Sequence, residues 1–333
     1  MYSSTILSVK PIQSVWPYVQ IARIDHWFKN VFMLLGVLLA FFYEPALFTW
    51  SSLPQIGFAF ITTCLVASSN YVINELLDGS TDCFHPQKKY RPVPSGRIRR
   101  NLAILEWLTI GSLALLTASF LNMSFALAAL SLWLMGVVYN VPPIRAKELP
   151  YLDVLSESVN NPLRLFLGWF ALVPGKVPAL SLIFAYWMVG AFFMATKRFA
   201  EYRHIGDPDA AAQYRKSFAH YNEERLLISM FFYSILGALF AGIFVVRYRV
   251  ELILFVPLAA GFFGYYLKLG LQDDSPVQHP EKLYRERGFM RYLVFCSVVF
   301  VLLMLLRVPL LYDIFNVEPA GIDPLWTIGT KVR

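Results

Sequence analysis

The stretch "NELLDGSTD", residues 74–82, closes a long apolar run and leads into the basic segment "HPQKKYRPVPSGRIRR", residues 85–100. The run before it, 54–77, is long enough to cross a hydrocarbon core of about 30 Å as a helix. If the helix continues through the polar stretch, Asn74, Asp78 and Asp82 fall four residues apart and line one face. At 1.5 Å per residue the row climbs about 12 Å. A solvated last turn accounts for Asp82, but not for Asn70 and Asn74, which sit inside the apolar run. Polar groups in lipid are functional by default, because hydrocarbon offers them no partner.

Composition extends this reading to the whole chain. Of 333 residues, 57% are hydrophobic, 16% aromatic and 15% charged, where a soluble domain carries about a quarter charged. The mean hydropathy is +0.52. Apolar runs near 30–48, 54–77, 102–121, 123–140, 152–174, 178–199, 225–246, 251–270 and 290–312 predict about nine spanning helices. Helices are the expected element because they satisfy their own backbone in lipid. Short linkers such as "LNMS" and "VPGKVP" predict antiparallel neighbours in one all-α bundle over residues 1–333. No cleavable signal pattern is visible in the first 29 residues, and the segment 314–333 reads as an irregular tail.

Loop charge sets the expected orientation. Alternating the loops gathers Lys10, Arg23, Lys29, the run from Lys88 to Arg100, Arg145, Lys147 and the charged groups of 197–225 and 268–291 on one side. The positive-inside rule makes that side, with the N-terminus, cytoplasmic, in an inner membrane; an odd span count puts the C-terminal tail outside. The net charge of +7 is thereby assigned to topology and anionic lipid or substrate, with no nucleic-acid partner expected. Three scattered cysteines and five dispersed histidines form neither a disulfide framework nor a zinc pattern.

Four constellations stand out. Magnesium favours one or two carboxylates plus substrate phosphate oxygens, which Asp78 and Asp82, aided by Asn74, are spaced to offer. Lys88, Lys89 and Arg91 follow directly and either mark the cytoplasmic side or clamp phosphate. In "YLDVLSESVNNPLRLFLGW", Asp153, Glu157, Asn160, Asn161 and Arg164 share one helix face. Arg164 lies roughly two turns or more into an apolar span and requires a partner or a cavity. A polar chamber shared with the first motif is expected; an internal Glu157–Asn161–Arg164 network is the competing account. Pro162 is expected to bend this helix and free carbonyls. In "ATKRFAEYR", Lys197 and Arg198 either pair with Glu201 or face substrate, and Arg215, Lys216 and Tyr221 of the following loop are expected to cap the site.

Together these residues resemble the UbiA superfamily of intramembrane prenyltransferases. Asn74, Asp78 and Asp82 match its N-x3-D-x3-D motif, and "YNVPPIRAK" is similar to its tyrosine-to-lysine segment, adding Tyr139 and Lys147 as site residues. Aromatic prenyltransferases of the superfamily carry a second D-x3-D where this chain reads "KRFAEYR". The segments "HWFKN", "HPQKKYRP" and "KRFAE" resemble the decaprenyl-phosphate phosphoribosyltransferase branch, which brings Lys29 among the substrate contacts; that branch's Asn-Asp pair is Asn74-Glu75 here. The resemblance implies a Mg2+-dependent transferase with a diphosphate-bearing donor and a polyprenyl lipid substrate. The reaction expected is phosphoribosyl transfer from phosphoribosyl diphosphate to a polyprenyl phosphate. The alternatives are polyprenyl transfer to an aromatic acceptor and a non-enzymatic transporter.

Overall fold

A computed structural model describes residues 14–83, 88–278, 280–316 and 326–327. Nearly all of it is helix: α1 (Trp16–Ile21), α2 (Leu34–Tyr43), α3 (Leu53–Asp82), α4 (Arg100–Ser119), α5 (Met123–Asn140), α6 (Leu152–Ser158), α7 (Asn160–Leu172), α8 (Leu180–Ile205), α9 (Pro208–Tyr214), α10 (Glu223–Tyr248), α11 (Val256–Gly270), α12 (Arg287–Leu305) and α13 (Pro309–Ile314). Eight stretches among the described residues are long and apolar enough to span a membrane. The span expected at 152–174 is instead two helices, α6 and α7, meeting at Val159. Pro162 stands four residues after Ser158 and cannot donate to its carbonyl. The Trp187 indole donates to the Leu155 carbonyl and the Ser158 hydroxyl, both at 3.1 Å, so the break is stitched to α8.

The length of α3 positions the polar row. Thirty residues make about 45 Å of helix against a core of about 30 Å. The last two and a half turns, which carry Asn74, Asp78 and Asp82, therefore exceed the length a span needs. The fold has two ends. At the far end, Gln55 reaches the Ala171 carbonyl (2.6 Å), Asn122 the Phe170 carbonyl (2.8 Å) and Ser124 the Pro174 carbonyl (2.8 Å).

Small residues let helices touch backbone to backbone. A methyl at Gly168 of α7 would collide with the Met33 carbonyl, and one at Gly36 of α2 with the Leu165 carbonyl. Such contacts drive association where lipid supplies no hydrophobic force. The Trp107 and Trp133 rings stack (5.3 Å, 9°) between α4 and α5, and the Trp133 indole donates to Ser69 of α3 (3.1 Å). Gly237 of α10 packs on Met188 of α8, the packing part its sequence setting implied. The tail is less irregular than expected, since Trp326–Thr327 pairs in parallel with Leu306–Arg307.

Candidate functional site

The site is assembled at the end where α3 and α5 stop and α6 starts. Asn140, the last residue of α5, accepts from Asn74 (2.5 Å) and from Lys147 (3.0 Å). Asp78 accepts from Lys147 in a short contact and from Arg145 at 3.1 Å. Asp82 accepts from Arg91 (2.8 Å), with the Lys88 ammonium 3.7 Å away. Two carboxylates one helical turn apart are thus surrounded by four cations. The turn after α5 aims two of these cations. Arg145 adopts a left-handed backbone (φ 38°), which swings its guanidinium back toward α3. Glu148 braces it at 2.6 Å and is itself met by Lys216 at 2.7 Å.

Burial costs the charged ammoniums solvation, which lowers Lys147 and Lys88 below the ordinary lysine value; Asp78 and Asp82 respectively oppose that shift. Burial raises Glu148, but Lys216 and Arg145 outweigh it and hold the carboxyl below the usual range.

A second cluster centres on Arg198, which is only 2% exposed. Its fork donates to Glu157 (2.6 Å) and Glu201 (2.9 Å), and its Nε lies 3.4 Å from Asp153. Asp153, fully buried, also accepts from Ser217 (3.1 Å) and Tyr221 (2.7 Å), with the Arg215 Nε 3.5 Å away. Lys197 stands 4.0 Å from Glu201. Here three cations face three carboxylates, and the cluster is electrically balanced.

Tyr139 joins the two clusters. Its hydroxyl donates to Glu157 (3.1 Å) and accepts from Arg215 (3.1 Å), while the Lys147 ammonium lies over its ring at 5.9 Å. Lys88 lies 5.7 Å over the Tyr214 ring, so the loop after α3 meets the cap formed by α9 and residues 215–221. Contacts through Tyr139 therefore bring the acidic row and the 153–201 groups side by side, with Arg215, Lys216 and Tyr221 bonded to Tyr139, Glu148 and Asp153 respectively.

Other sequence-selected residues lie elsewhere. The row from Asp153 to Arg164 divides at Val159. Arg164 turns to Asn30 (3.0 Å), which reaches Cys64 (3.3 Å), and not to Glu157; the proposed Glu157–Asn161–Arg164 network does not form. The Asn161 amide lies against Gly190, where a Cβ would crowd it. Lys29 meets His26 (3.2 Å), and Lys89 lies over the Tyr90 ring (5.1 Å). Sequence reasoning gave no site role to Asn140, Arg145, Glu148 or Tyr214. Arg145 was visible only as a topological charge, although its place two residues before Lys147 was the available signal. Glu75, 3% exposed, accepts from the Val93 amide (3.3 Å) and anchors the basic loop to α3.

Among the described residues no three carboxylate, imidazole or thiol side chains converge as a closed metal cage. The donor set still fits magnesium, which takes one or two carboxylates and leaves its other positions to water and phosphate oxygens. Asp78 and Asp82 are the residues of this end suited to that part.

Residues 30–294 match the model of the UbiA prenyltransferase family. The chain belongs to that family. It is therefore a multi-pass membrane transferase, and the transporter reading gives way. Among its relatives, it is 27% identical over 225 residues to decaprenyl-phosphate phosphoribosyltransferase of Mycobacterium tuberculosis, covering 67% of this chain and 72% of that protein. The protein of the same name from Mycolicibacterium smegmatis is 28% identical over 217 residues, 62% of this chain and 63% of the relative. In fold the chain is similar to a UbiA homolog from Archaeoglobus fulgidus bound to DMAPP and Mg2+, with a TM-score of 0.64 at 20% identity over 86% of this chain and 97% of that one.

Proposed function

We propose that this UbiA-family transferase moves a phosphoribosyl group from phosphoribosyl diphosphate to a polyprenyl phosphate. The observation that carries the reading is the charge of the first cluster: Lys88, Arg91, Arg145 and Lys147 around Asp78 and Asp82. Such an excess suits a multiply anionic donor. The second cluster supports the same branch. Where an aromatic prenyltransferase would carry a second aspartate pair, Arg198 binds three carboxylates and leaves no acidic pair to hold another metal. Arg198 is thereby read as a positioning residue, in line with the first of the two alternatives, pairing with Glu201 or facing substrate. The relatives named decaprenyl-phosphate phosphoribosyltransferase lend the branch further support.

Without donor, the four cations neutralise Asp78 and Asp82 and hold them in place. When a diphosphate enters, Lys147, Arg145, Lys88 and Arg91 turn their donors to its oxygens, and the aspartates are released for a divalent ion. Asn74 fixes the Asn140 amide, and through it the Lys147 ammonium. Bound magnesium supplies charge neutralisation for the departing diphosphate. The cations add fixed electrostatic stabilisation as the anomeric C–O bond breaks. The acceptor phosphate is already ionised near neutral pH and attacks without a general base. Lys197, 4.0 Å from Glu201, is the cation offered to it. Tyr139 and the capping segment of Arg215 and Tyr221 exclude water. In this reading the site end, with the N-terminus, faces the cytoplasm of an inner membrane, where the donor is dissolved.

The second reading, polyprenyl transfer to an aromatic acceptor, has one observation in its favour. The structural neighbours of the same fold are bound to DMAPP or GPP with Mg2+. Incubating purified protein with labelled phosphoribosyl diphosphate and a polyprenyl phosphate separates the two. Radiolabel in the lipid phase is expected. A prenylated aromatic from the alternative substrate pair, with no labelled lipid from the first, would overturn the choice.

A further inference from the structure

An apolar groove of ≈ 560 Å³ lies on the outer face of α6, α8 and α10, away from the catalytic chamber. Tyr151, Leu155, Trp187, Ile228, Phe232 and Leu236 line it. Ile228 and Phe232 are both more than half exposed on a membrane-spanning stretch, so in a bilayer this hollow is filled by hydrocarbon. From Arg225 to Leu236 the groove follows about 16 Å of α10.

One cation stands at its mouth, in a turn that also carries Glu223 and Glu224. Arg225, in the first turn of α10, also lines the groove. Its guanidinium donates to the His220 carbonyl at 2.8 Å and forms no ion pair among the described residues. The nearby Glu223 is drawn instead toward Arg203 (3.7 Å). Tyr151 holds the other side of the mouth with a positive φ of 64°, a conformation that persists in a bulky residue only where its surroundings enforce it. The enforcing contacts are the Tyr221 hydroxyl, which accepts from the Tyr151 amide at 2.5 Å, and the Tyr221 ring, edge-on at 5.4 Å.

We propose that this groove binds an anionic phospholipid, with one acyl chain along Ile228, Phe232 and Leu236 and the phosphate on Arg225. The substrate lipid is a poorer occupant, because the wall toward the chamber is closed by Val154, Asp153 and Tyr221, all buried, and gives a reacting phosphate no passage. A second copy of the chain would leave the cation at the mouth unpaired against a hydrocarbon face. The bound lipid steadies Tyr151 and, through Tyr221 and Asp153, the Arg198 cluster, so it acts on the site without entering it.

Native mass spectrometry of the protein released from phosphatidylcholine nanodiscs doped with phosphatidylglycerol tests this. Arg225→Gln should cut retained phosphatidylglycerol about tenfold, the loss of one charge-assisted contact, while phosphatidylcholine retention is unchanged. Arg225→Lys should keep most of it, and Ile228→Trp, which narrows the groove, should reduce both lipids. Thermal unfolding of each variant in detergent confirms that it remains folded. Equal phosphatidylglycerol retention by Arg225→Gln and the parent protein overturns the headgroup site. A cross-link between two copies through position 232, with no lipid retained, overturns the occupant.

Discussion

Asp78→Asn separates the two duties of the acidic row. The amide keeps the shape and still accepts from Lys147 and Arg145, but it loses the charge that offsets them. The side chains concerned are 21%, 10% and 17% exposed, which places the group between a surface and a buried pair. Stability should fall by about 1–2 kcal/mol, discounted from the 3–5 of a fully buried pair. Turnover should fall far more. Removing one preorganised electrostatic element typically costs about 10²–10³ in kcat, or about 3–4 kcal/mol. The assay is lipid-phase radiolabel from labelled phosphoribosyl diphosphate in nanodiscs across a magnesium titration, with unfolding temperature measured on the same samples. The double variant Asp78→Asn/Lys147→Met removes the stranded ammonium and should recover the unfolding temperature but not turnover. Turnover of Asp78→Asn within threefold of the parent at saturating magnesium would refute the role. Recovery of turnover in the double variant would show that the loss came from an uncompensated lysine and not from a missing metal ligand.

Three further outcomes are expected. Burial lowers Lys147 and Lys88 below their unfolded value of 10.5, so turnover should begin to fall at a pH below 10.5 as the phosphate-facing charge is lost. In the window between the lowered folded values and 10.5 the unfolded chain binds more protons, so these two groups contribute stability that rises with pH while activity declines; paired pH profiles of turnover and unfolding check the opposite signs. Arg198→Leu leaves three carboxylates to the two remaining cations, Arg215 and Lys197, and should destabilise by about 3–5 kcal/mol; Arg198→Lys should recover only part, since one ammonium cannot match the guanidinium's three contacts, and thermal unfolding reads both. Gly168→Ala should lower unfolding temperature and yield by forcing α7 off the Met33 carbonyl of the neighbouring helix, whereas Gly57→Ala, with open space around its Cβ position, should not.

The bundle was legible because lipid imposes a simple rule on every span, and the rule survives local detail. Met123–Asn140 has the bounds that hydropathy predicts, and Leu53–Asp82 is longer at its polar end because nothing in "NELLDGSTD" breaks a helix. The 152–174 span bends at Val159 for a reason hydropathy does not weigh, the bend that Pro162 led us to expect. Pro162 removes a donor one turn after Ser158, and Trp187 of another helix takes up the loosened segment. The acidic row was legible because spacing of four is a property of one helix. The partners were not, because they come from different elements: Asn140 ends α5 and Arg145 depends on a left-handed turn. Sequence spacing places Glu157 and Arg164 on one face, yet tertiary contacts send the first to Arg198 and the second to Asn30.

The division of charge between the clusters follows from what each must do. Arg198, Arg215 and Lys197 set against Asp153, Glu157 and Glu201 are neutral as a group and cost little further desolvation, so they suit a fixed joint between α6 and α8. A surplus of cations over carboxylates is unstable on its own and is satisfied only when an anion arrives. The balanced cluster centres on groups that are almost fully buried, and the unbalanced one is partly open, with the Asp78 side chain 21% exposed. Tyr139 touches both, so a change at Arg198 should reach Lys147 through one ring and one hydroxyl. That coupling predicts a double-mutant signature. Tyr139→Phe removes the hydroxyl from Glu157 and Arg215 but leaves the ring under Lys147. Combined with Arg198→Lys it should lose less stability than the two single losses summed, because both disturb the same Glu157 carboxylate. Strict additivity would mean that Tyr139 and Arg198 hold Glu157 independently, and the hydroxyl step of the route from Arg198 to Lys147 would then be lost.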